Sequence, residues 1–267
     1  MNHDEYALDV GSSDLHRMTL LGNIYKAHNT QFILNCGLTK GMHVADIGCG
    51  PGNMSLWFAE QVGTTGSVTA IDNSDDQLDI LRDQLSSHHI SHIFPESLDI
   101  YELSSRFEPQ FDLVYCRFLM VHLQNPIKAI EQLKKILKPQ GRLIIAELDN
   151  QTWYSYPAND SLQKDVSLLC KTGELRGIDL EIGKKLYSYF KKLHFNNIKV
   201  DIAQPVLEKT DREYLISKVQ AWSKKYLEHH LITEDELSDL VNNIKQLAAN
   251  EDYLLAGARM FQVAGTH

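Results

Sequence analysis

The sequence predicts an α/β fold built on a doubly wound sheet, and three observations carry the prediction. Between residues 43 and 149 short β-type runs alternate with helical patterns, the signature of parallel strands joined by right-handed helical crossovers. The first of these runs passes straight into a glycine-rich turn, in the stretch VADIGCGPGNMSLWFAEQVG at residues 44–63. Beyond residue 150 the rhythm changes to long helical stretches that close on the strand-like segment MFQVAG.

The elements follow in order. Leu15–Leu34 reads as a helix ahead of the sheet. The strands are His43–Ile47, Val68–Asp72, His92–Asp99, Phe111–Cys116 and Arg142–Glu147. Ser74 followed by Gln77 can form a capping box ahead of the apolar series Leu78, Leu81 and Leu85. Asn125 can cap a helix with Pro126 at its first position. Ile127, Ile130, Leu133 and Leu137 then make its apolar stripe, with Lys134, Lys135 and Lys138 near the negative end of its dipole. Pro139 and Gly141 stop that helix. A long helical stretch runs from about Ser161 to Leu193, followed by a strand over Asn197–Ala203. Residues 206–258 are predominantly helical: Thr233 and Glu236 offer a capping box, and Leu237, Leu240, Val241, Ile244, Leu247 and Ala248 recur at helical spacing.

Composition narrows the function classes. A chain of 267 residues, 43% hydrophobic, can bury a full core as one α/β domain with an elaboration. Twenty-six Lys and Arg against 35 Asp and Glu give a net charge of −9, which argues against the basic stripe that nucleic acid requires. Cys36, Cys49, Cys116 and Cys170 lie far apart with no C-x-x-C pair, so neither a disulfide framework nor a sulfur-rich zinc site is indicated, and a reducing cytosol fits. No apolar run approaches the ~18 residues that span a bilayer, and the first residues lack the basic start and apolar segment of a secretion signal. These features predict a soluble, cytoplasmic protein without a membrane span.

The glycine turn is a ligand-binding feature. Gly48, Gly50 and Gly52 follow a strand and open a helix, so backbone amides can come close to a ligand. Asp72 ends the second strand twenty residues beyond Gly52, where a carboxylate can accept ribose hydroxyls. The dinucleotide pattern G-x-G-x-x-G fails because Asn53 stands at its sixth position, which weakens a nicotinamide or flavin reading.

The order Asp46-Ile-Gly48-Cys-Gly50-Pro-Gly52, then Asp72, then Leu98-Asp99, then FDLVYCRFLMVHL at 111–123 and LKPQGRLIIAELD at 137–149 closely resembles the class I S-adenosylmethionine-dependent methyltransferases. The resemblance implies a seven-stranded sheet, mostly parallel with an antiparallel last strand, and the chain departs from it by inserting helix where the family has a short hairpin. The chain then divides into an N-terminal helical cap (1–41), a cofactor-binding α/β domain (42–205), a helical insertion (206–258) that reads as a lid or as a packing or dimerisation element, and the final strand (259–267). It implies S-adenosylmethionine as cofactor, with Asp46 and the Gly48–Cys49–Gly50 backbone facing its methionine part. Asp72 with Asn73 would hold the ribose and Asp99 with Ile100 the adenine, while Cys116 and Arg117 lie beside the methionine group. An acidic floor suits a ligand with a sulfonium and an ammonium against one carboxylate. Gln77 reads equally as an adenine contact or as a capping partner, and Cys49 as a packing residue.

Methyl transfer asks the protein mainly to hold a nucleophile and a methyl group in line. His122 is the candidate general base by position and titration range, with a packing role as its alternative. Glu147 ends the fifth strand and is a candidate acceptor contact or an ion-pair partner of Arg117, as is Asp149. Tyr6, Arg17 and Tyr25, which precede the sheet, are candidate roof residues over a small-molecule acceptor. His88, His89 and His92 lie close together but read as a solvated loop, so no metal is expected. Quinone-like, sterol-like, amine and natural-product acceptors are all open, as is a non-catalytic regulatory protein that keeps the fold and binds the cofactor. Oligomeric state is not legible.

Overall fold

The structure, a computed structural model, describes residues 12–267. Its elements in chain order are α1 (Ser12–Asn35), β1 (His43–Ile47), α2 (Asn53–Val62), β2 (Ser67–Asp72), α3 (Asp75–Ser87), β3 (Ile93–Ser97), α4 (Leu103–Arg106), β4 (Phe111–Arg117), α5 (Pro126–Lys135) and β5 (Leu137–Asp149). There follow β6 (Tyr154–Tyr156), α6 (Asp160–Arg176), α7 (Leu186–Lys192), β7 (Asn196–Ala203), α8 (Glu213–Glu228), α9 (Glu234–Ala249), β8 (Leu254–Ala256) and β9 (Arg259–Thr266).

The main sheet has seven strands in the order β3-β2-β1-β4-β5-β9-β7. The first five run parallel, with Val44 opposite Val68 on one side and Leu113 on the other. β9 runs antiparallel: the His267 amide donates to Gly141 O at the start of β5 (3.0 Å). Asn197 and Thr266 meet at 3.2 Å and Gln262 and Asp201 at 3.2 Å, so β7 pairs with β9 in opposite sense. The predicted sheet, with its antiparallel last strand, is therefore the one observed. On one face Phe32 and Ile33 of α1, Phe58 of α2 and Leu78 and Leu81 of α3 share a core with Val44, Val68, Ala70, Tyr115, Ile144 and Ala264. Alternating apolar strand residues bury one side chain in two against such helices, which fixes register.

The chain divides into two compact units. One holds residues 29–147, 184–201 and 261–267, and so most of the sheet; the other holds the described residues up to 28 with 148–183 and 202–260. In the second unit α8 packs against α6 and α9, and β6 pairs antiparallel with β8. Its interior carries a buried ion pair, Lys218 Nζ to Asp165 Oδ2 at 2.6 Å. The Tyr226 hydroxyl donates to Asp165 Oδ1 (3.1 Å), and the Lys218 ammonium sits 4.4 Å from the centroid of Trp153, whose ring stacks on Tyr214.

Several boundaries differ from expectation. The helix read over 161–193 is two helices, because Gly177 takes a left-handed conformation (φ 69°) and closes α6. β5 begins at Leu137, not Arg142: a register shift opposite Phe111 and Leu113 absorbs Pro139 and Gly141 as an irregularity within the strand. Leu137 and Lys138 thus belong to the strand, and Lys138 pairs with Asp112 (2.7 Å) instead of capping the helix. β3 spans only Ile93–Ser97, with Pro95 tolerated because β3 is an edge strand. Ser74 caps α3 by position, but its side chain makes no cap bond, so the Ser74–Gln77 box does not form. The Thr233–Glu236 box does, in both directions.

Candidate functional site

The carboxyl ends of parallel strands gather the candidate residues in the first unit, as open α/β sheets do. Gly48, Gly50 and Gly52 have φ of 68°, 53° and 87°, a run of left-handed conformations that residues with side chains seldom adopt. The turn is tied inward: Gly48 N and Cys49 N both donate to Ile71 O (2.8 and 3.0 Å), and Gly50 N donates to Asp72 Oδ2 (2.8 Å). This corrects the expectation of amides aimed at a ligand. The donors hold the turn onto β2, and the Cys49 carbonyl in turn accepts from Gly52 N (3.0 Å).

Asp72 is a shared anchor. Besides Gly50, it accepts from the Ser74 amide on Oδ1 (3.0 Å) and interacts with the Asn73 amide. Burial raises its pKa, and those three amides pull it back down. A carboxylate has about four acceptor sites, so capacity remains for a hydroxyl. Asn73 itself is exposed at the end of β2. Asp46 is buried at 3% exposure and accepts from the Ser55 hydroxyl at 2.6 Å. Burial pushes its pKa up to about 6, opposed by the Ser55 bond and the Arg117 charge. Ser55, a small hydroxyl in the first turn of α2, was not foreseen; its spacing from Asp46 was the available signal. Arg117 ends β4 with its guanidinium 5.1 Å from the Phe118 ring, and no hydrogen bond reaches its Nη1. Cys116 is buried in the strand, its thiol pKa raised by burial and by Glu147 and Asp46.

Asp99 accepts from the Tyr101 amide (2.8 Å), capping a 3-10 turn that begins at the buried Ile100. Gln77 is buried with its Oε1 lacking a partner, which removes the capping reading and leaves a polar atom to be satisfied. Cys49 is buried in the core cluster, and burial raises its thiol pKa far above the ordinary range.

Glu147 does not pair with Arg117. Its buried carboxylate accepts from Met120 N at 2.6 Å and also engages the Leu119 and Val121 amides, at the start of the 3-10 turn Met120–His122. Burial raises its pKa to about 8, against the pull of those amides. It is a brace for the loop that carries the half-buried His122. Just before that loop, Phe118 sits at φ 57°, an outlier for a bulky residue of the kind that clusters at functional sites.

Other candidates fall elsewhere. Tyr6 lies outside the described residues. Arg17 and Tyr25 belong to the second unit, where Tyr25 OH donates to Ala258 O (2.7 Å) and Arg17 hydrogen-bonds Tyr214. His88 donates to Gln84 O (2.9 Å) and His92 to Ala59 O (3.1 Å), and among the described residues no group of three His, Cys, Asp or Glu converges as a metal set. No helix among them is long and apolar enough to cross a membrane.

The first unit's residues fit S-adenosylmethionine. The buried Asp46, the half-buried Asp72 on the next strand and the unsatisfied Gln77 amide oxygen match a nucleoside carrying a positively charged amino-acid tail. A pH dependence follows. A cationic ligand selects ionised Asp46, so with a pKa near 6 the affinity should rise as pH rises through that value, being about tenfold weaker at pH 5 than at pH 7. Titration calorimetry across that range checks this; a flat profile would exclude Asp46 from the ligand's surroundings.

Comparison with known proteins agrees. Residues 38–243 match a family model described as a methyltransferase domain. The ubiquinone/menaquinone biosynthesis C-methyltransferase of Pseudoalteromonas translucida is 28% identical over 172 residues, covering 61% of this chain and 64% of its own. The corresponding enzyme of Psychromonas ingrahamii is 30% identical over 180 residues, 65% of each chain. The chain thus spans less than two thirds of the length of these relatives. A Haemonchus contortus phosphoethanolamine N-methyltransferase 2, solved with phosphomonomethylethanolamine and S-adenosylhomocysteine, superposes with TM-score 0.58 at 17% identity over 93% of this chain and 56% of its own, a likeness of fold. The chain belongs to the family that the matching model describes, a methyltransferase domain, which spans residues 38–243.

Proposed function

We propose that this methyltransferase acts on a small-molecule acceptor, with a quinone-type ring as the leading class, by in-line displacement. The observation that carries the cofactor half is the pair of carboxylates, Asp46 and Asp72, flanking a turn whose positive φ values leave no room for side chains. The acceptor class is supported by the names of the relatives, C-methyltransferases of ubiquinone and menaquinone biosynthesis. S-adenosylmethionine, when bound, supplies a methyl group already activated by a sulfonium.

The chain's residues then bind, orient and move a proton. Asp72 would hold the ribose with Asn73 alongside, while Asp46, the Gly48–Gly50 backbone, Cys116 and Arg117 would surround the amino-acid end. Asp99, Ile100 and Gln77 take the adenine. The acceptor's nucleophilic atom would be held in line with that methyl group, and the acceptor's proton would pass to the His122 imidazole. Glu147 fixes the turn on which that imidazole stands.

Radiolabelled methyl transfer to a panel of demethylated quinols, phenols and amines tests the reading; labelling confined to amines would overturn the quinone-type class. Within it, His122→Ala should lower kcat by about a hundredfold or more, as expected for loss of a general base, with cofactor affinity unchanged. A kcat within about threefold of the parent would return His122 to a packing role.

A further inference from the structure

β7 is the last strand of the main sheet and has a hydrogen-bonded neighbour, β9, on one side only among the described residues. Its sequence, NNIKVDIA, alternates polar and apolar residues, the pattern of a strand with one buried face. Yet its middle is exposed: Val200 and Ile202 are 44% and 53% exposed, Lys199 and Asp201 are exposed as well, and only Ile198 is half-buried and Ala203 buried. Long edge strands with uncovered apolar residues are templates for further strand pairing, and proteins ordinarily guard them.

The guard here is self-complementary. With Val200 as the centre, Lys199 lies one step to one side and Asp201 one step to the other, flanked in turn by Ile198 and Ile202. If a second identical strand runs antiparallel across a two-fold axis at Val200, residue 199 faces residue 201 of the other copy, and 198 faces 202. Both charged pairs are then of opposite sign and all facing apolar pairs match, whereas a shift by one residue in either direction destroys the charge match. The irregular backbone at Asn197 (φ 48°) bounds the regular segment at 198, leaving a stretch symmetric about Val200.

We propose that β7 is a homodimer interface at which two copies of this chain pair antiparallel across Val200, joining their sheets edge to edge. A two-fold contact of this kind is isologous, the commonest form of oligomer. Lys199 of each copy faces Asp201 of the partner subunit, and the apolar row Ile198, Val200 and Ile202 is covered by its own counterpart. The alternative occupant, an extended peptide from another protein, has no reason to require this charge symmetry.

The test is a complementary charge exchange read by sedimentation velocity at about 50 µM, well above the Kd of a functional dimer. The parent chain should sediment as a dimer. Lys199→Glu places two acidic residues opposite two, and Asp201→Lys places two basic residues opposite two, so each variant alone should dimerise at least about tenfold more weakly. Mixed in equal amounts they should recover the dimer, because both facing pairs become attractive. Recovery cannot come from a misfolded chain, so it separates the interface from loss of the Lys199–Asn35 and Asp201–Gln262 contacts within each copy. A monomeric parent, single variants that remain dimeric, or a mixture that stays monomeric would each overturn the proposal.

Discussion

Replacing Lys218 by methionine should destabilise the protein by about 3–5 kcal/mol, since removing one partner of a buried ion pair leaves the other charge uncompensated. Asp165 is fully buried, and without the ammonium at 2.6 Å its remaining polar partner is the Tyr226 hydroxyl. Methionine keeps the length of the lysine stem while removing the ammonium and its contact with the Trp153 ring, so the loss reports charge more than volume. The double variant Lys218→Met with Asp165→Leu should recover most of that loss, because the desolvation of both ions disappears together. Urea denaturation monitored by Trp fluorescence measures both, and a Lys218→Met cost under about 1 kcal/mol would show that water reaches the pair. The same pair bears on the helical segment 206–258. Cutting out α8 and α9 would strand Asp165 inside α6, so the segment is part of its unit's interior.

Asp72→Ala should weaken S-adenosylmethionine binding by about 2–4 kcal/mol, roughly thirty- to a thousandfold, because one carboxylate performs two tasks. It holds the Gly50 and Ser74 amides, and it is the proposed acceptor for the ribose. Asp72→Asn keeps only part of the first task, because its single oxygen can accept from Gly50 N or Ser74 N but not both, and it also loses the charge that strengthens a hydroxyl contact, so its loss should approach that of Asp72→Ala. Calorimetry against S-adenosylhomocysteine, with circular dichroism as the check on folding, reads both variants. Unchanged affinity for Asp72→Ala would remove the residue from the site.

Much of this was legible where the signal is local. β1 falls on the predicted residues because an apolar run ends in a glycine turn, and the Thr233–Glu236 box forms because both halves lie within one helical turn. The Ser74–Gln77 box failed although its spacing is as good, because Asp72 is already placed to take the Ser74 amide. β6 and β8 were missed since three residues are too few to show a period. In the site, the acidic residues announced themselves, but the inward tie of the turn depends on Ile71 O, delivered by the neighbouring strand β2. Glu147 likewise shows its role only when β5 brings it to the amides of 119–121. Lys218 and Asp165 meet across two helices that nothing in the local sequence pairs.

The four cysteines lend themselves to a last deduction. Burial raises the thiol pKa of Cys36, Cys49 and Cys116, and that of Cys170 reaches about 11. Thiolate is the reactive form, and at neutral pH a thiol of pKa 11 holds only about one part in ten thousand of it. Quinols oxidise to quinones, Michael acceptors that capture thiolates, and sulfurs held protonated by burial react with such by-products more slowly.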